Sequence, residues 1–165
     1  MRTSKSKQSG SVQSFDGTRI YYEVEGEGLP LIFCYGIVCN YSQWKYQTRF
    51  FKNHYQLIRF DYRGHNKSES PQKKENLTVA ACARDLEAVM DKLHIQKPVL
   101  LGHSMGTNIC FKFAADHPER VSGIVSICGS VSNPLKTMFN TDLTVAGFEF
   151  IKLAYLKFPG QFPKI

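Results

Sequence analysis

The 165-residue chain predicts an α/β fold: a parallel-type sheet with helices on both faces. Three observations carry that reading. Short, continuous apolar runs such as LPLIFCYG (29–36) suit strands buried on both faces. Stretches with apolar residues at a period near 3.6 suit amphipathic helices. From residue 29 to residue 129 the two alternate, which is the rhythm of parallel strands joined by covering helices.

Taken in order, residues 1–13 (MRTSKSKQSGSVQ) are basic and polar and read as a flexible tail. RIYYEVEG (19–26) mixes β-branched and aromatic residues with charges, as a strand exposed on one face does. DG before it and GEG after it are turn signals. LPLIFCYG is the first buried strand. YSQWKYQTRFF (41–51) places Trp44, Thr48 and Phe51 at helical spacing, and YQLIRFD (55–61) is a further strand. Over 77–93, Val79, Cys82, Ala83, Leu86, Val89, Met90 and Leu93 form one apolar stripe, with Asn76 as the predicted N-cap. Asp85, Glu87, Asp91 and Lys92 fall mainly on the other face. PVLLG (98–102) is a short buried strand and 105–115 a helix, which His117-Pro118 ends because proline cannot extend the hydrogen-bond ladder. VSGIVSICG (121–129) is the last strand in view. The remainder carries one helix-like apolar stretch, Leu143 to Leu156.

Composition limits the functions available. Hydrophobic residues make up 42% and charged residues 21%, a globular balance. No window approaches the ~20 apolar residues of a membrane span, and the amino terminus lacks a secretory apolar core. The net charge of +7 is largely peripheral, in Arg2, Lys5, Lys7, Lys152, Lys157 and Lys164. No basic run is interleaved with aromatics, so a solvated surface is expected rather than a nucleic-acid groove. The five cysteines (34, 39, 82, 110 and 128) form no CxxC pair and no zinc spacing with histidine. Reduced thiols in a cytoplasmic protein are expected.

Gly102-His103-Ser104-Met105-Gly106 matches G-x-S-x-G. Three fixed positions at about 7% frequency each give roughly a 5% chance of one match in such a chain. The context sharpens it, because a buried strand enters directly and a helix leaves directly. Such a turn lifts a serine Oγ above the sheet edge, with glycines where side chains would crowd it.

The chain resembles the α/β-hydrolase family from about residue 14 to residue 129. PLIFCYG is similar to the family's third strand and oxyanion loop, and Trp44 stands where members often place a tryptophan in the first helix. IRFDYRGHNKS resembles its D-x-R-G-H-G-x-S segment, VLLGHSMG its nucleophile elbow, and DHPERVSGIVSICG the passage into its sixth strand. The resemblance implies Ser104 as nucleophile, with the backbone N–H groups of Met105 and Ile37 as oxyanion donors. Relatives that open epoxides or displace halide carry an aspartate at this position. Serine implies cleavage of an ester or similar small acyl substrate through an acyl-enzyme, without cofactor or metal.

Two positions depart mildly: Tyr35 stands for a usual histidine, and Asn66 for a usual glycine, which asparagine's tolerance of left-handed backbone can replace. The triad partners depart more. The family order is Ser, then acid, then His. After Ser104 come only Asp116, Glu119, Asp142, Glu149 and His117. Asp116 and His117 fall at the far end of the helix leaving the elbow. Asp142 would be an acid displaced to the loop after strand six, or a solvated helix cap. His103 is expected to project away from the Ser104 Oγ, His65 to be structural, and His54 and His94 to lie at the surface. Asp61 and Arg63 are expected to fix their loop. Asn40, Tyr41 and 147–158 suit either an acyl pocket with a lid, or ordinary packing. The expected organisation is a tail (1–13), the amino-terminal part of the hydrolase core (14–130) and the start of a cap (131–165). On this reading the sheet stops before its last strands, the acid and base are unassigned, and the isolated chain is weak or inactive and self-associates through an open sheet edge. The alternative is a non-catalytic binding or interaction protein on a degenerate hydrolase fold.

Overall fold

A computed structural model of the protein describes residues 7–130. The expected cap, with Asp142, Glu149 and the 147–158 segment, lies outside the described residues. Among the described residues six strands form one sheet: β1 (Gln8–Gln13), β2 (Arg19–Glu25), β3 (Pro30–Cys34), β4 (Gln56–Phe60), β5 (Val99–His103) and β6 (Gly123–Ile127). Three helices join them: α1 (Lys45–Phe51), α2 (Val79–Lys92) and α3 (Met105–Asp116). The spatial order is β1-β2-β4-β3-β5-β6. From β4 to β6 all pairs are parallel, whereas β1–β2 and β2–β4 are antiparallel.

The strand at the amino terminus corrects the sequence reading. Residues 8–13, expected in a flexible tail, form β1, paired from Gln8↔Val24 to Gln13↔Arg19. The Asp16-Gly17 turn closes this hairpin: Gly17 takes φ +81°, and the Asp16 carboxylate accepts from the Thr18 N–H. Gly10 leaves room for the Tyr22 ring, whose hydroxyl would lie 2.7 Å from a Cβ there. Backbone pairing, not side-chain burial, makes this polar segment a strand.

The core is the set the apolar runs predict. Ile32, Phe33, Leu57, Ile58, Phe60 and Leu100 are fully buried in the sheet. Leu86, Val89 and Met90 of α2, and Ile109, Cys110 and Phe113 of α3, are buried with them. Each large aliphatic contributes on the order of 2 kcal/mol of burial free energy. The 41–51 segment begins as a 3-10 turn, Tyr41–Trp44, before α1.

Two expectations about α2 are also corrected. Its N-cap is Thr78, whose side chain accepts from the Ala81 N–H, while Asn76 turns its amide to Asp16. Asp85, assigned to the polar face, is fully buried because Arg63 reaches it from the loop after β4. The helix ends in a Schellman arrangement. The Ile95 N–H bonds to the Met90 carbonyl and the His94 N–H to the Asp91 carbonyl, with His94 at φ +55° where glycine is usual.

This topology positions the site. The chain steps from β3 to its neighbour β4, then crosses back over β3 to β5 and on to β6. With right-handed crossovers, α1 covers one face and α2 and α3 the other, and α2 packs on α3. β3 and β5 are therefore adjacent strands whose carboxyl-end loops leave toward opposite faces, the position at which open α/β sheets bind ligands.

Candidate active site

Ser104 follows β5 directly and has φ +51° and ψ −120°. A non-glycine residue in this region is strained, and the surroundings must hold it there. Its N–H bonds to the Ile127 carbonyl at the end of β6, and its carbonyl accepts from the Thr107 N–H. Its hydroxyl makes no capping hydrogen bond although it begins α3. The two elbow glycines have separate tasks. A Cβ at Gly102 would come within 2.6 Å of the Thr107 Cα. A Cβ at Gly106 would strike the Cys34 and Tyr35 carbonyls. Glycine thus lets α3 fold tightly back at 102 and lets the elbow approach the end of β3 at 106.

The loop after β3 faces the elbow. A Cβ at Gly36 would be 3.3 Å from the Ser104 Cβ and 2.9 Å from the His103 Nδ1, so the loop backbone passes directly over the serine. The Gly36 N–H donates to the Gln43 Oε1 at 3.3 Å, and its carbonyl accepts from the Cys39 N–H at 3.2 Å. Ile37 and Val38 are exposed, and Val38 is at φ +62°, a strained conformation for a β-branched residue. Among the described residues no hydrogen bond engages the N–H of Ile37 or of Met105. A trans peptide points its N–H opposite to its carbonyl. The Gly36–Ile37 carbonyl is tied to Cys39, so the Ile37 N–H is left pointing away from that turn.

Tyr35 is fully buried beneath this loop. The Tyr62 N–H donates to its hydroxyl at 3.0 Å, and the Tyr62 hydroxyl donates to its carbonyl at 2.8 Å. The rings stack with centroids 4.1 Å apart. Burial pushes both phenols above the ordinary tyrosine value, so each stays protonated. These contacts are invisible in the sequence, where Tyr62 is one residue of a loop motif. Asn66 takes φ +46° and donates to the buried Asp61 carboxylate, as does the Lys67 N–H. Burial still holds the Asp61 carboxyl above its ordinary value. Asn40 and Tyr41 line a cavity of about 290 Å³ with Ser42, Asp61, Asn66 and Lys67. A cavity of about 420 Å³ lies instead by the end of α2, around Met90, His94 and Arg120, at the amino ends of the strands.

Among the described residues no histidine hydrogen-bonds the Ser104 hydroxyl. His103 turns its ring to Gly36 and leaves its buried Nδ1 without a partner. The His65 Nδ1 lies 3.2 Å from the Arg63 carbonyl. His117 pairs with Glu87 and stacks on Phe113, while Asp116 pairs with Lys112. His54 and His94 are exposed. Arg63 is held by Asp85, Asp16, Ser14 and the Asn76 carbonyl. Cys34, Cys82 and Cys110 are buried free thiols, whereas Cys39 is half-buried and Cys128 exposed.

The model of the alpha/beta hydrolase fold family matches residues 30–153, which include both loops of this site. The chain belongs to the alpha/beta hydrolase fold family. Epoxide hydrolase 4 of Homo sapiens is 32% identical over 113 residues, which cover 67% of this chain and 31% of that protein. Non-heme chloroperoxidase of Streptomyces lividans is 30% identical over 158 residues, covering 93% of this chain and 56% of that protein. The esterase EaEST from Exiguobacterium antarcticum superposes with a TM-score of 0.69 at 31% identity, covering 73% of this chain and 45% of the esterase. The chain thus spans from 31% to 56% of the length of these hydrolase-fold relatives. No helix among its described residues is long and apolar enough to cross a membrane.

Proposed function

We propose that Ser104 is the nucleophile of a serine hydrolase that cleaves a carboxylic ester or similar acyl compound through an acyl-enzyme. The observation that carries this reading is the strained φ of Ser104 with the bare Gly36 backbone packed over it. The N–H groups of Ile37 and Met105, uncommitted among the described residues, would receive the oxyanion of a tetrahedral intermediate.

The chemistry of serine separates this reading from the epoxide-opening activity in one relative's name. A serine oxygen attacking an epoxide carbon would form an ether, which water does not readily cleave. Attack on an ester carbonyl expels the alcohol and leaves an acyl-serine ester, which addition of water then cleaves to the acid and the free serine. The competing reading is ligand binding at a non-catalytic elbow. It is favoured by one observation: no histidine or carboxylate among the described residues hydrogen-bonds Ser104.

The test is a fluorophosphonate probe with peptide mass mapping, alongside turnover of short-chain nitrophenyl esters. An adduct on Ser104 is expected, and whatever ester turnover the chain supports is lost in Ser104→Ala. A folded protein that neither labels at Ser104 nor hydrolyses the esters would establish the binding reading instead.

A further inference from the structure

Resting on the acyl-transfer reading of Ser104, we propose that Tyr62 and Gln43 are positioning residues that clamp the Tyr35–Gly36 peptide and thereby aim the Ile37 N–H at the reacting centre. That peptide is held from both sides: its carbonyl takes the Tyr62 hydroxyl at 2.8 Å, and its N–H gives to the Gln43 Oε1 at 3.3 Å. With this plane fixed, the next one is set by the Gly36 carbonyl and the Cys39 N–H. Planarity then leaves the Ile37 N–H one direction.

The clamp compensates a specific weakness. The loop it holds carries a β-branched residue at positive φ, Val38, whose side chain, like that of Ile37, is mostly exposed and gives little packing to fix it. An oxyanion donor is useful only where it is already oriented before charge develops. Tyr62 is fully buried, stacked on Tyr35 and packed edge-on against Phe60, so its hydroxyl has a fixed place. Gln43 lies in the 3-10 turn that leads into α1, just before the buried Trp44. The clamp therefore ties the oxyanion loop to β4's exit on one side and to α1's entry on the other.

The experiment compares Tyr62→Phe and Gln43→Met with the unaltered chain, and adds Gln43→Glu, which keeps an acceptor oxygen for the Gly36 N–H. Hydrolysis of p-nitrophenyl butyrate, the fluorophosphonate labelling rate at Ser104 and amide hydrogen exchange over residues 34–40 are read in each. In Tyr62→Phe and Gln43→Met, kcat and labelling rate are expected to fall about tenfold or more with KM within about twofold, since a transition-state donor is misaimed. Exchange accelerates at the hydrogen-bonded amides of Gly36 and Cys39 and not in β3 or α3, and Gln43→Glu recovers most of both signals. Unchanged exchange at these two amides overturns the clamp, as does faster exchange throughout β3 and α3, which marks a general loss of stability. An unaltered chain that neither hydrolyses nor labels ends the acyl-transfer reading and with it the catalytic role. The exchange data then decide separately whether the two side chains hold the loop.

Discussion

Arg63 and Asp85 meet in two parallel hydrogen bonds, Nε to Oδ2 at 2.7 Å and Nη2 to Oδ1 at 2.6 Å, with both side chains closed off from solvent. The pair joins the loop after β4 to the middle of α2. Arg63 also reaches Asp16 in the β1–β2 turn. Removing one partner leaves the other charge buried and unpaired. Asp85→Ala and Arg63→Ala are each expected to cost about 3–5 kcal/mol in urea unfolding, while a well-packed Arg63→Met/Asp85→Leu double replacement recovers much of the loss. Equal losses in the single and double variants would show that packing rather than charge pairing is at stake.

Asp16 supplies a pH dependence with a defined sign. Burial raises its carboxyl, but hydrogen bonds from Thr18, Asn76 and Arg63 outweigh burial and bring it from 3.8 down to about 2. Its contribution to stability is therefore complete above the ordinary carboxylate value and is lost as pH falls from 3.8 through about 2. Urea midpoints measured from pH 5 to pH 2 should fall less steeply in Asp16→Asn than in the unaltered chain. Parallel curves would remove Asp16 from the acid limb.

Gly106 and Gly123 give a matched pair of alanine substitutions. A Cβ at Gly106 meets backbone carbonyls of Cys34 and Tyr35, which cannot swing aside. Nothing among the described residues lies within 4 Å of a Cβ at Gly123. Gly106→Ala should cost about 3 kcal/mol and abolish labelling of Ser104, whereas Gly123→Ala should be neutral or slightly stabilising. A folded, reactive Gly106→Ala protein would mean the elbow can stand off from β3.

The end of α2 offers a stabilising change. His94 occupies the left-handed C′ position with both Schellman bonds formed. His94→Gly should raise the unfolding free energy by about 1 kcal/mol, read as a higher urea midpoint at unchanged slope. A lower midpoint would show that the imidazole makes a contact that outweighs its backbone cost.

Ser104 itself should behave in the opposite sense from an ordinary core residue. Ser104→Gly relieves the positive φ and is expected to stabilise the chain by about 1 kcal/mol while removing the probe adduct. A destabilised Ser104→Gly variant would show that the elbow backbone carries little strain.

The parts legible in the sequence are those with a local physical signal. Buried runs such as LPLIFCYG and the apolar stripe of α2 announce themselves by burial alone. The elbow does so because its two glycines and serine must be close in the chain. β1 was not legible, because QSGSVQ has no apolar alternation and becomes a strand through pairing with β2. The burial of Asp85 is not legible in the sequence of α2, because its partner, Arg63, comes from the loop after β4. Asn76, the expected cap, instead gives its amide to Asp16 from the β1–β2 turn, a contact that the local sequence does not show, while Thr78 caps α2. The Tyr35–Tyr62 and Gly36–Gln43 contacts were likewise out of reach, since each joins residues that the sheet and loop must first bring together.

The backbone bond from Ser104 to Ile127 has a kinetic consequence. The elbow is pinned by a strand that the chain reaches only after α3 is made, and β5 must already have slotted in beside β3, far back in the sequence. Such distant pairings close large loops and come late in folding. A nascent or partly folded chain would therefore hold the serine in a relaxed, unreactive turn. Its reactivity would mature only once β6 has docked, so the rate at which a probe captures Ser104 during refolding would serve as a clock for completion of the sheet.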